Sequence, residues 1–136
     1  MEDCIFCKIV SKEIAANVIY EDTNTIAFLD LNPRNPGHTL VITKQHYATI
    51  FEIPEEIIAD VYRTVKKISK PLKETVNADG MNTVQSNIVS QGVHHFHTHV
   101  IPRFWDDNMP IVWESHHAAD RVELMAIAEK VKRLLG

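Results

Sequence analysis

Val93–Arg103, reading VHHFHTHVIPR, places four of the chain's eight histidines within six residues. Val, Phe, Thr and Ile around them favour a strand over His94–Pro102, and Pro102 marks its end. Side chains alternate along a strand, so His95, His97 and His99 point one way, about 6.5–7 Å apart. His94, Phe96, Thr98 and Val100 point the other way. A single histidine on an apolar strand is usually a hydrogen-bonded structural residue. Three in strict alternation suit a metal site or phosphate chemistry, and a packed core has little use for them. The run is internal and interleaved with β-forming residues, unlike an expression tag.

Outward from this strand the chain reads as α+β. Ile5–Val10 forms a short turn or helix, and 17–21 and Thr25–Leu29 read as strands. Asn32-Pro33-Arg34-Asn35-Pro36-Gly37 concentrates turn residues before a third, β-branched strand, Thr39–Thr43. Pro54 opens a helix with Glu55 and Glu56 at the positive end of its dipole. Ile57, Ile58, Val61, Val65, Ile68 and Leu72 make its core face, and Pro71 is expected to kink or interrupt it unless neighbours compensate. Asn77–Gly80 is a turn, Met81–Asn87 a fourth strand, and Asp120 with Glu123 resembles a capping box for a helix over Arg121–Leu135.

At 136 residues with 45% hydrophobic and 24% charged residues, the chain is expected to be one soluble domain. A formal net charge of −4 argues against a nucleic-acid or anionic-membrane binder. No apolar run reaches membrane-spanning length and the start Met1-Glu2-Asp3 is acidic, so a cytoplasmic location is expected. Cys4 and Cys7 offer two thiolates within reach of one metal. Alone, this spacing equally describes a redox pair or two small hydrophobes. Zinc would need two further ligands, and imidazoles are acceptable ones.

His95-Phe96-His97-Thr98-His99-Val100-Ile101 resembles the signature of the histidine triad (HIT) family, three histidines alternating with apolar residues. Ala27-Phe28-Leu29-Asp30-Leu31-Asn32-Pro33 and Pro36-Gly37-His38-Thr39-Leu40-Val41-Ile42 resemble that family's other two blocks, in the expected order. The likeness runs from Cys4 to about Arg103 and is strongest to the bacterial Hint-type nucleoside phosphoramidases and nucleotide hydrolases. It implies one HIT domain over 1–136, with a core at 4–103 and a C-terminal extension carrying a helix at 104–136. It further implies a five-stranded, mainly antiparallel sheet, one long central helix, and a symmetric homodimer whose two sheets join.

The resemblance makes His97 a nucleophile toward the α-phosphate of a purine nucleotide, forming a nucleotidyl-histidine that water cleaves. Imidazole suits the task because its ordinary pKa, about 6.5, leaves it neutral near pH 7. His99 donates to the phosphate oxygens, His95 supports from behind, and His38 orients the triad. Phe6, Ile9, Phe28 and Leu31 supply an apolar slot for the base, Asp30 accepts from the ribose hydroxyls, and Asn87 and Gln91 join the phosphate contacts. The same likeness assigns a closed structural zinc to Cys4, Cys7, His46 and His95, with no organic cofactor. By residue type alone, His38 reads as a buried hydrogen-bonded histidine, His46 as a surface residue and Asp30 as a turn starter.

Two departures stand beside the triad. Similar proteins carry a longer glycine-rich loop before the position of Gln91 and place Ser or Thr directly after it; here only Ile88-Val89-Ser90 intervene and Gly92 follows. A phosphate-contacting hydroxyl is therefore missing, unless Ser90 substitutes. Cleavage of nucleoside 5′-phosphoramidates or related esters, releasing the nucleoside monophosphate, is the leading expectation. The alternatives are a dinucleoside polyphosphate hydrolase, for which Arg103, Arg34 and Lys44 are a thin cationic supply, and a catalytically weakened nucleotide-binding module. A catalytic metal on the three histidines is a further reading. Trp105 and Trp113 lie where a C-terminal segment could reach the site, and His116-His117 reads as a solvated loop.

Overall fold

The computed structural model describes residues 3–110 and 118–136. Its elements are α1 (Ile5–Val10), β1 (Val18–Glu21), β2 (Thr25–Leu29), β3 (Thr39–Thr43), α2 (Glu55–Val76), β4 (Gly80–Val84), β5 (His97–Arg103) and α3 (Arg121–Leu135). The strands make one sheet in the order β1-β2-β3-β5-β4, with every pair antiparallel.

Register decides which side chains meet. Phe28 pairs with Leu40 and Ile26 with Ile42, while Leu40 pairs with His99 and Ile42 with His97. These residues therefore share one face, onto which Phe6 and Ile9 of α1 pack. The opposite face presents Ala27, Val41 and Val100 to Val61, Val65, Ile68 and Leu72 of α2. Burial on both faces explains why β2 and β3 read as nearly continuous apolar and β-branched runs. Gly37, just before His38, has φ +86°, and a Cβ there would lie 3.1 Å from Pro102 Cγ. Only glycine enters β3 at this angle without strain.

Beyond a fourth strand that ends at Val84 rather than Asn87, three details differ from the sequence reading. The fifth strand begins at His97, not His94, because its pairing with β3 ends at Ile42 and His97. Phe96 N–H instead donates to the Tyr47 carbonyl at 2.7 Å. Second, α2 runs through Pro71 without interruption. The carbonyl that Pro71 cannot reach belongs to Lys67 on the exposed side of the helix, where water can serve it. The helix ends instead at Asn77, in the left-handed conformation at φ 56°, with Ala78 N–H returning to the Lys73 carbonyl. Third, α3 is capped by Asp120 as its sequence predicts, yet none of its residues is buried. Its apolar stripe, including Met125 and Val131, stays exposed. Among the described residues no helix is long and apolar enough to cross a membrane.

Thr98 is fully buried on the α2 face of β5, and its hydroxyl has no hydrogen-bond partner among the described residues. An orphaned buried hydroxyl costs about 1–3 kcal/mol relative to an apolar group of the same shape. Thr98→Val should therefore raise the free energy of unfolding in denaturant titrations, by about 1 kcal/mol.

Candidate functional site: a histidine cluster with main-chain-fixed protons

His97 and His99 stand on the α1 face of β5 with ring centroids 5.0 Å apart. His95 lies beyond the strand end, but Phe6 is edge-on to both His95 and His97, at centroid distances of 5.8 and 5.0 Å. The three imidazoles are thus gathered as expected, two by strand alternation and the third by the turn that precedes it.

Backbone groups settle which nitrogen carries each proton. His97 Nδ1 donates to the His95 carbonyl at 2.7 Å, leaving Nε2 with its lone pair. Arg34 N–H donates to His38 Nδ1 at 3.0 Å, so the proton of neutral His38 sits on Nε2. From there it is donated to His99 Nδ1 at 2.9 Å, which puts the His99 proton on Nε2. A bare nitrogen on His97 therefore stands beside a proton-bearing one on His99, the pairing of nucleophile and donor that acyl or phosphoryl transfer uses. Burial favours the neutral rings: it holds His38 and His97 below the ordinary histidine range and lowers His99 to about 4.

Next to them lies a cavity of about 440 Å³. Phe6, Ile9, Phe28, Leu40 and Val93 give it apolar walls, with Asp30, Leu31, Arg34, Ser90, Gly92, His97 and His99 also lining it. Asp30 Oδ1 accepts from Asn32 N–H at 2.8 Å, so the residue starts a turn and still lines the cavity. A somewhat larger hollow, about 500 Å³, opens at the far end of β4 and contains no histidine. Its Arg103 is committed to Asp107, Asn82 and the Met109 carbonyl.

Asn87 and Gln91 do not line this cavity. Asn87 Oδ1 accepts from Ile50 N–H at 2.7 Å and from Gln85. Gln91 is buried, accepting from Ile88 N–H at 2.9 Å and donating to the Ala48 carbonyl at 2.6 Å. Both amides brace the short loop before the triad. Ile88 and Ser90 within it have φ of 66° and 64°, an unfavourable region for a β-branched residue above all. Ser90 and Gly92 reach the cavity in their place. Trp105 is exposed and lines the other hollow; Trp113, His116 and His117 lie outside the described residues.

Cys4, Cys7, His46 and His95 converge behind Phe6, their ligand atoms all within 4.8 Å of one another. His95 Nε2 donates to the Thr43 carbonyl at 2.7 Å, freeing Nδ1 toward Cys4 Sγ at 3.4 Å and Cys7 Sγ at 3.6 Å. His46 Nδ1 is 3.3 Å from Cys7 Sγ. Zinc–sulfur and zinc–nitrogen bonds of about 2.3 and 2.0 Å in a tetrahedron put neighbouring S and N about 3.5 Å apart. The donor set and its spacing therefore fit zinc. Asp30, His38 and His99 also lie close together, but the His38 Nε2 proton is spent on His99 and Arg34 N–H blocks the other nitrogen. That group is a proton chain, not a ligand set.

Fold and site together define an α+β open-sheet protein with a histidine-lined cavity at its middle strands. Residues 11–106 match the HIT domain family. Adenosine 5′-monophosphoramidase HNT1 of Candida albicans is 36% identical over 140 residues, covering 98% of this chain and 91% of that protein. A crystal structure from Streptococcus mutans superposes with a TM-score of 0.94 at 36% identity, covering 100% of this chain and 87% of that one. A zinc-bound histidine triad family protein from Mycobacterium smegmatis gives 0.77 at 33% identity, with 98% of each chain covered. The chain belongs to the HIT family.

Folding that lowers His99 from 6.5 to about 4 means the unfolded chain binds more protons between those values. The contribution is complete above about pH 6.5 and is lost as pH falls toward 4. Melting temperatures measured from pH 7 to 4.5 should drop, and less steeply in His99→Gln.

Proposed function

We propose that this protein hydrolyses purine nucleoside 5′-phosphoramidates or related nucleotide esters through a covalent intermediate on His97. The observation that carries this reading is the bare His97 nitrogen beside the proton-bearing His99 nitrogen at an apolar cavity. His97 Nε2 attacks the α-phosphorus, the P–N bond breaks, and the amine departs. Water then cleaves the nucleotidyl-histidine; overall its hydrogen ends on the amine and its hydroxyl on the nucleoside monophosphate. His99 Nε2–H stabilises the non-bridging oxygens, and His38 holds that proton in place. Phe6, Ile9, Phe28 and Leu31 receive the base and Asp30 the ribose. The phosphoramidase named among the relatives supports the leaving group.

Cation supply favours a small leaving group over a long polyphosphate. Of the three candidate cations, Arg34 lines the cavity, Lys44 is paired with Glu21 at 2.7 Å, and Arg103 is bound to Asp107. The zinc site is read as structural, because four protein ligands leave no position for substrate. A homodimer is the assembly proposed here. Among the described residues the outer edge of β4 is unpaired and the apolar stripe of α3 is uncovered, two surfaces a second copy would bury. Light scattering should then give twice the 15.5 kDa chain mass; a monomer at micromolar concentration would remove the dimer.

Intact-mass spectrometry of samples quenched with adenosine phosphoramidate tests the chemistry. Wild type should show a transient adduct of one AMP, and His97→Ala should show none while AMP release falls by about 10³-fold or more. A protein that binds AMP yet gives neither adduct nor product would instead be a nucleotide-binding module. Gly92 offers a second arm: a Cβ there meets nothing within 4 Å, and its φ is not positive. Gly92→Ser should fit, restore the missing donor, and accelerate AMP release by about tenfold or more.

A further inference from the structure

We infer that metal occupancy at Cys4, Cys7, His46 and His95 is coupled to nucleotide binding in the adjacent cavity, through Phe6 and the His95 main chain. The inference rests on the nucleotide and zinc readings above and goes beyond them, because a closed structural site need not communicate with the ligand cavity.

Two contacts make the link. Cys4 and Cys7 occupy the first turn of α1, and Cys7 N–H donates to Cys4 Sγ at 3.4 Å. The same turn carries Ile5 and Phe6, which line the cavity with Ile9 one turn further on. Drawing both thiolates to one ion fixes the position of this wall. α1 has just six residues and is too short to hold a conformation without tertiary contacts. Phe6 transmits that position by standing edge-on to His95, His97 and Phe28, the last at 5.8 Å. The second link runs through His95 itself. Its ring belongs to the set that would hold the metal, and its carbonyl accepts the His97 Nδ1 proton at 2.7 Å. His95 lies in an irregular stretch outside β5, so sheet pairing does not fix that carbonyl. Two anchors hold it: Phe96 N–H, in the same peptide unit, donates to the Tyr47 carbonyl at 2.7 Å, and the His95 ring, tied at Nε2 to the Thr43 carbonyl, would gain a further tie at Nδ1 from the ion. His95 is thus a positioning residue for His97.

Coupling between two binding sites is reciprocal: the factor by which zinc tightens AMP must equal the factor by which AMP tightens zinc. The test is calorimetric titration of the zinc-loaded full chain and the chelator-stripped chain with AMP. A parallel competition of zinc against a chromophoric chelator is run with and without AMP. Stripping should weaken AMP binding by between about fivefold and about a hundredfold, with the same factor in the zinc competition. Phe6→Ala should still bind one zinc per chain while its coupling factor falls toward one. If both ligands bind and the AMP constants agree within twofold, the coupling is overturned and both earlier readings stand. If no zinc binds, the metal reading falls with it; if zinc binds and AMP does not, the nucleotide reading does. Should the stripped chain unfold, the rate of zinc loss from folded protein into excess chelator reads the same link. Loss should be slower with AMP, and equal rates would overturn it.

Discussion

A neutral imidazole has two nitrogens and one proton, and the position of that proton decides whether the ring attacks or donates. Here the choice is made by the main chain. The carbonyl of His95 fixes His97, the carbonyl of Thr43 fixes His95, and the N–H of Arg34 fixes His38 and, through it, His99. Reversing the choice at His97 or at His38 would place a proton on the bare His97 nitrogen or remove one from His99 Nε2. The site depends on backbone placement, which depends in turn on the β3–β5 register and on the turn that Gly37 permits.

This is also why the site was only partly legible in the sequence. Residue types and alternation suffice to put His97 and His99 on one face, and apolar runs suffice to find β2 and β3. The HIT resemblance brought His38 and His46 to their places, for which residue type alone gives a buried structural histidine and a surface residue. The partners that set the tautomers are carbonyls and N–H groups, which every residue has and no motif advertises. The start of β5 was misjudged because strand propensity at His94–Phe96 carries no information about where the neighbouring strand stops. The cost of Pro71 depends on which side of α2 it occupies, and there the exposed side lets the helix continue.

Asn87 and Gln91 make a similar point about shortened loops. With few residues before the triad, their amides turn inward to hold Ile88 and Ser90 in left-handed conformations. What remains at the cavity is the Ser90 segment and the open space beside Gly92. On the other wall, α1 concentrates two thiols and the aromatic ring that touches the triad into a single turn.

The strand order has a consequence for how the molecule is born. β5 is the last strand among the described residues, yet it lies between β3 and β4, which leave the ribosome before it. Until residue 103 is available, Leu40-Val41-Ile42 presents an open, apolar strand edge and β4 has no partner at all. Such an edge is the template on which nascent chains mispair. The histidine strand is thus the closing piece of the sheet, and its arrival covers that open edge.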